Sequence, residues 1–268
     1  FLLASGYAIA SLIIPAKKKD GVHSRAKFVF KIVFVLALIY FPYTLMKQGP
    51  TKLLASHIPG HELIELREGL TETARYYVRK KYKKPFYYRL VTNSHSMSAT
   101  NIMAQRYMKL YVYLPMALNP EIRSALLISY GVGSTAKALT NSKQIDSIDI
   151  VDISKDILEM NSNVYSDNEL PLLDPRVTAH IEDGRFFLNT VKKKYDLITS
   201  EPPPPKMSGI VNLYSEEYFE LILKRLNIGG YLTYWLPAHG MNEDEALSII
   251  KAFCNVFDDC SLWAAARL

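Results

Sequence analysis

The chain has 268 residues, enough for one large domain with additional elements, and 49% of them are apolar, so a packed core is expected. Its net charge is +6, from 32 basic and 26 acidic residues, and the excess clusters near the start, so charge alone does not point to nucleic acid. The two cysteines, Cys254 and Cys260, are too few for a disulfide framework and read as reduced or unpaired thiols. The chain starts inside one apolar run and stops just after another, and it reads as a fragment of a longer protein, cut at both ends.

Residues 1–15 are apolar and uncharged, too short to span a bilayer alone but suited to the tail of a spanning helix. A basic loop follows, with Lys17, Lys18, Lys19, Arg25 and Lys27 against Asp20. Residues 28–46 form a second apolar run, interrupted only by Lys31 and Pro42. At about 1.5 Å per residue it would reach roughly 28 Å, close to the thickness of a bilayer core. Residues 1–47 are therefore expected to form a transmembrane hairpin around a basic loop, in a multi-pass membrane protein. Lys47 and Lys52 weaken the charge asymmetry, so the orientation stays open.

Residues 48–120 read as a small β-rich domain with a linking helix. HELIEL, TARYYVR and FYYRLVT are three short strands rich in β-branched and aromatic residues, with Gly69 and Pro85 at the breaks. The segment RKKYKKPFYYR mixes basic and aromatic residues; it fits a solvated hairpin face or anionic lipid heads better than RNA. His57 and His61 stand four apart, but Pro59 and Gly60 between them favour a surface loop over a metal-binding helix. After SHSMSATN, residues 103–118 have a helical pattern, with Tyr107, Tyr111 and Tyr113 placed to pack in the core or to line a pocket.

From residue 121 to 268 strands and helices alternate. Strands are expected near 125–129, 147–151, 176–181, 195–200, 230–236 and 258–264, and helices near 134–140, 154–163, 184–191, 215–227 and 242–256. This alternation predicts a doubly wound parallel sheet, with ligands beyond the carboxyl ends of its strands. Gly131 and Gly133 sit in a tight turn after the first strand, and Asp152 ends the second. A turn without Cβ atoms followed about 20 residues on by a strand-end acid suits a nucleoside ligand, with the acid accepting from ribose hydroxyls. Asp183 and Gly184 follow the third strand; Asp183 suits a helix cap and also a contact to an adenine amine. Glu201 follows the fourth strand and opens the run Pro202 to Pro205, which makes it a candidate base on a stiff loop.

Taken together, these residues resemble the spermidine/spermine synthase family, the polyamine aminopropyltransferases, within the class I S-adenosylmethionine-dependent methyltransferase fold. The likeness runs from about Glu62 to the end of the chain and is similar to bacterial versions in which transmembrane helices precede the synthase-like domain. The family's loop GGGDGG falls on SYGVGS, matching Gly131 and Gly133 and placing Val132 where the loop's acid would be. The resemblance implies ribose contact by Asp152, with Ile153 beside it, and adenine contact at Asp183 and Gly184. It places Tyr107 on the tyrosine of the motif Y-Q-E-M, with Met108 and Lys109 next, and Glu201 on the first acid of D-S-S-D-P. Pro204 takes the place of that motif's second acid, and Asn212, Leu213 and Tyr214 match the family's Leu-Tyr pattern beyond it.

The function implied by the resemblance is that of a membrane-anchored transferase moving an aminopropyl group from decarboxylated S-adenosylmethionine to an amine, with Glu201 and Tyr107 in catalysis. A diamine needs carboxylates for its two charges, and Lys109 and Pro204 stand where two are expected, so the acceptor half of the site departs from the pattern. The alternatives are an S-adenosylmethionine-dependent methyltransferase with another acceptor, or a non-catalytic nucleoside-binding domain on a transporter-like membrane part. No metal and no nucleic acid are expected; a homodimer and a bilayer are expected partners. The location implied is a bacterial inner membrane, with cofactor supply favouring a cytoplasmic catalytic domain. The fold implied ends in an antiparallel strand pair, of which only the first strand would fit before residue 268.

Overall fold

The structure is a computed structural model that describes residues 58–93, 95–207 and 209–264, together with Ile32, residues 34–36 and Tyr40, which are helical. The apolar runs are otherwise outside the described residues, as are the basic loop between them and His57. Among the described residues no helix is long and apolar enough to cross a membrane. The chain divides into two units, residues 1–57 and 58–268. The second unit holds two sheets.

The first sheet is an antiparallel meander of β1 (Glu62–Glu68), β2 (Thr73–Lys81), β3 (Lys84–Thr92) and β4 (His95–Ala99). Tyr76, Tyr77 and Leu90 are buried in it, as expected for aromatic and branched side chains on a pleated surface. β2 and β3 are joined at Tyr82 and Lys83, both left-handed (φ 52° and 62°), the mirror-image turn whose twist matches the strands. One expectation needs correction. Pro85 does not break the strands; it lies inside β3, opposite Lys80, where the pairing register shifts beside Arg79. A bulge is where a residue without an N–H does least harm to a ladder. His95–Ala99, given no element by the sequence pattern, is a fourth strand; its alternation is carried by serines and so carries no hydrophobic period.

Helix α1 (Ile102–Leu118) is capped by Asn101, whose side chain accepts from the Ala104 amide at 2.9 Å. Pro115 sits inside it and cannot donate to the carbonyl four residues earlier, that of Tyr111. The Thr233 hydroxyl fills that gap, donating to the Tyr111 carbonyl at 3.0 Å.

The second sheet has five parallel strands, β5 (Ser124–Ile128), β6 (Ser147–Asp152), β7 (Val177–Ile181), β8 (Tyr195–Ser200) and β9 (Leu226–Tyr234), in the order β7-β6-β5-β8-β9. The helices are α2 (Ser134–Asn141), α3 (Lys155–Glu159), α4 (Gly184–Thr190), α5 (Glu216–Arg225) and α6 (Glu243–Val256). Alternate residues of β5 serve opposite faces. Ala125 and Leu127 join the core beneath α1 and α2, while Leu126 and Ile128 join that beneath α4 and α5. The sheet is thus covered on both sides, which explains why its strands read as continuous apolar runs. The helix expected over 154–163 is shorter: α3 passes into a 3₁₀ turn over Met160–Asn163.

The C-terminal expectations are also corrected. Residues 258–264 form no strand. Cys254 and Cys260 are not free thiols; they form a disulfide across the end of α6.

Candidate active site

The carboxyl ends of β5 and β8 meet at one pocket, and the N-terminal sheet closes it. Met97 and Ser98 of β4 and Met108 of α1 line it, with Ser129 to Val132, Ser134, Thr135 and Glu201. The glycine loop after β5 explains its own residues. Gly131 has φ +56°, and a Cβ there would lie 2.7 Å from the Ser98 hydroxyl. Gly133 has φ +76°, and its Cβ would lie 2.5 Å from the Tyr130 hydroxyl, because Tyr130 folds back across the loop. Both positions therefore exclude a side chain twice over, by backbone conformation and by space. The Tyr76 hydroxyl donates to the Gly131 carbonyl at 3.3 Å, linking the first sheet to the loop.

Asp152 holds this loop from the adjacent strand. One carboxylate oxygen accepts from the Tyr130 amide and the other from the Ser154 amide, each at 2.8 Å. Burial pushes this carboxyl up to about 6, against the pull of those two amides, with the nearby charge of Glu72 adding to the rise. Each oxygen keeps a second lone pair, so the group can still accept from a ligand hydroxyl. Ile153, next to it, is exposed. Asp183 lies at the end of β7 and caps α4, accepting from the Phe186 amide at 2.8 Å. The Glu182 amide donates to the Asp152 carbonyl, which brings the two strand ends together. Gly184 is required by packing, since a Cβ there would lie 2.6 Å from Ile128 Cγ2.

Glu201 stands at the end of β8 facing the pocket, and its Oε1 accepts from the Thr135 hydroxyl at 2.6 Å. Burial drives its carboxyl up to about 7, only partly offset by that hydrogen bond. The proline run is fixed from behind, as the Tyr214 hydroxyl lies within reach of the Pro202 and Pro203 carbonyls at 3.2 and 3.1 Å. Tyr107 is beside Glu201: burial, and then the Glu201 charge, hold its phenol well above the usual range. Tyr111 packs edge-on against Tyr107 and feels the same charge. Lys109 is not among the lining residues; its ammonium donates back along α1 to Gln105 at 2.9 Å.

The structure thus gathers Gly131, Gly133, Asp152 and Glu201 around one loop, with Tyr107 beside Glu201. Asp183, Gly184 and Ile153 lie along the neighbouring strand ends. Sequence reasoning misses Thr135, Ser98 and Met97. A threonine in the first turn of a helix carries no special sequence signal, and β4 lacks a hydrophobic period. Two buried polar atoms in the pocket, the Ser98 and Tyr130 hydroxyls, have no hydrogen-bond partner among the described residues. Orphaned buried hydroxyls are costly unless a ligand or water serves them, so the lining fits a polar ligand.

A five-stranded parallel sheet of this order, with a glycine loop and strand-end acids at its carboxyl edge, defines a class I methyltransferase-like fold. A crystal structure of spermidine synthase in complex with the transition-state analogue AdoDATO superposes with a TM-score of 0.63 at 16% identity, over 73% of this chain and 65% of that one. Spermidine synthase from Thermotoga maritima gives 0.61 at 15% identity, over 73% and 64%. A sequence model of the spermine/spermidine synthase domain matches residues 104–266, and the chain belongs to that family. A polyamine aminopropyltransferase of Clostridium perfringens is 35% identical over 126 residues, 47% of this chain and 44% of that protein. One from Streptococcus pneumoniae is 29% identical over 140 residues, 52% and 49% of the two chains. The matched stretch thus spans just under half of the length of these relatives.

Proposed function

We propose that the chain is an aminopropyltransferase of the spermidine synthase type, acting on decarboxylated S-adenosylmethionine and an amine. The carrying observation is the Glu201 carboxylate, which faces the same pocket as the glycine loop and has a carboxyl raised to about 7. The acceptor nitrogen attacks the propyl carbon next to the sulfonium. The C–S bond breaks with its electron pair on sulfur, leaving a neutral thioether, and the amine proton passes to Glu201. A carboxyl near 7 is matched to that transfer at neutral pH, and alignment of nucleophile and carbon supplies the rest. Asp152 would hold the ribose, Asp183 and Gly184 the adenine side, and Tyr107 would bound the acceptor.

The decisive measurement combines donor binding with turnover. Glu201→Gln is expected to bind methylthioadenosine within a few-fold of the parent by calorimetry, while turnover falls about 10²- to 10⁴-fold. Unchanged turnover would overturn the base assignment; no binding of any S-adenosyl ligand by the parent would overturn the enzyme reading. A second reading, methyl transfer to a non-polyamine acceptor, is favoured by one observation: Glu201 is the only acid among the described lining residues, beside Met97, Met108 and Val132. The mass added to the acceptor, aminopropyl or methyl, separates the two.

We also infer that the chain is attached to a membrane. Support comes from the apolar runs at 1–15 and 28–46 and from the β2–β3 hairpin. Its tip exposes Tyr82 and Phe86, with Lys81 stacked 5.5 and 5.6 Å from their rings, amid Arg79, Lys80, Lys83 and Lys84. That pattern suits anionic lipid heads. The full chain should stay with membranes through an alkaline carbonate wash; release into the supernatant would refute the attachment.

A further inference from the structure

Thr135 lies in the first turn of α2, directly after the glycine loop, and is 2% exposed. Its Oγ1 is 2.6 Å from Glu201 Oε1 and 3.3 Å from the Met108 carbonyl oxygen. Among the described residues, no other side chain or amide hydrogen-bonds the Glu201 carboxylate. A hydroxyl has one hydrogen and two lone pairs, so Thr135 donates to one of these oxygens at a time and can still accept. The shorter contact has the length of an O–H donating to a charged oxygen, which places the hydrogen on the Glu201 side while that group is ionised.

A buried base presents a difficulty when it works. Ionised, it needs a donor; protonated, it has a hydrogen of its own to place. A partner that can act in only one direction leaves one of the two states with an orphaned group, and that is costly in a desolvated site. Thr135 has the second acceptor it needs in the Met108 carbonyl.

We propose that Thr135 is the positioning residue of Glu201, and that its hydroxyl reverses direction when the base takes a proton. Before transfer, Thr135 donates to Glu201. As the amine proton arrives, the new Glu201 O–H donates to Thr135 Oγ1, and the Thr135 hydrogen turns to the Met108 carbonyl. One proton moves from acceptor nitrogen to carboxylate; at Thr135 only hydrogen bonds exchange, and no bond to hydrogen breaks. Because Thr135 belongs to the helix after the glycine loop, the same contact ties the base to the element proposed to hold the donor. This rests on the reading of Glu201 as the base.

The test compares Thr135→Val, which keeps the shape and loses the hydroxyl, with Thr135→Ser, which restores it, and with Glu201→Gln, all in the full chain. Two quantities are read. The first is the infrared carboxyl band of the substrate-free protein across pH, assigned to Glu201 by its loss in Glu201→Gln. The second is the pH profile of kcat/KM. Thr135→Val should move the Glu201 midpoint up by about one pH unit, since the ionised state loses its donor. The acid limb of kcat/KM should move with it, and kcat at neutral pH should fall about tenfold while the donor KM changes by no more than about twofold. Thr135→Ser should return both readouts to near the parent. An inactive Glu201→Gln with a Thr135→Val that titrates like the parent overturns this inference alone. A Thr135→Ser as impaired as Thr135→Val does the same, since it shows that the methyl group and not the hydroxyl matters. An active Glu201→Gln removes the base assignment, and this inference with it.

Discussion

Glu201 and Asp152 show how single positions set the pH response of the molecule. The Glu201 carboxyl is ordinarily near 4.5 and is raised to about 7 in the fold. With Glu201 as the proposed base, turnover is expected to rise through about pH 7 as it ionises, with an acid limb of kcat/KM centred there; a limb centred near the ordinary carboxylate value would contradict the burial argument. Stability should run the other way. Because the folded value lies above the unfolded one, the native state holds a proton that the unfolded chain has lost, so its stabilisation is complete below about 4.5 and is lost as pH rises to about 7. The thermal midpoint of the parent should fall across that window relative to Glu201→Gln, whose neutral amide does not titrate. Asp152→Asn sets an amide hydrogen against a backbone N–H and should cost about 1–3 kcal/mol, read by denaturant unfolding.

Elements explain which parts of the site are readable from sequence. The glycine loop and the strand-end acids are legible because both obey positional rules: a left-handed turn needs glycine, and the carboxyl ends of parallel strands face the ligand. Gly184 is set by packing against β5. Gly184→Ala should destabilise by about 1–3 kcal/mol, since its Cβ would meet Ile128, and a change below about 0.5 kcal/mol would mean the helix simply shifts. Thr135 is not legible, because its role depends on Glu201, 66 residues away. Tyr130 replaces a glycine of the family loop, and only the structure shows that its ring folds back over Gly133. Pro115 is silent for a similar reason: its missing hydrogen bond is made good by Thr233, 122 residues from Tyr111.

At the scale of the whole molecule, the alternation of strands and helices foretells the five parallel strands and their order of appearance. It also overextends the pattern to residues 258–264, where apolar residues come after a disulfide turn and no partner strand is present among the described residues. The cysteines mislead because two of them cannot form a framework, yet six residues apart across a helix end they can form one local staple. So short a ring removes little chain entropy, about 2 kcal/mol by loop closure. Replacing both cysteines with serine should lower the melting temperature by roughly 4–8 °C in calorimetry. An unchanged value would mean the ring is already ordered without its bond.

The central strand carries one more consequence. β5 lies between β6, its close successor in the chain, and β8, which arrives about 70 residues later. The loop on β5 and Glu201 after β8 therefore cannot meet until the longest closure in this sheet is made. Non-local pairings of this kind slow folding. During refolding, the glycine turn and its α2 helix should gain amide protection before the ends of β8, and the nucleoside binding proposed for this pocket should return only with the slowest phase.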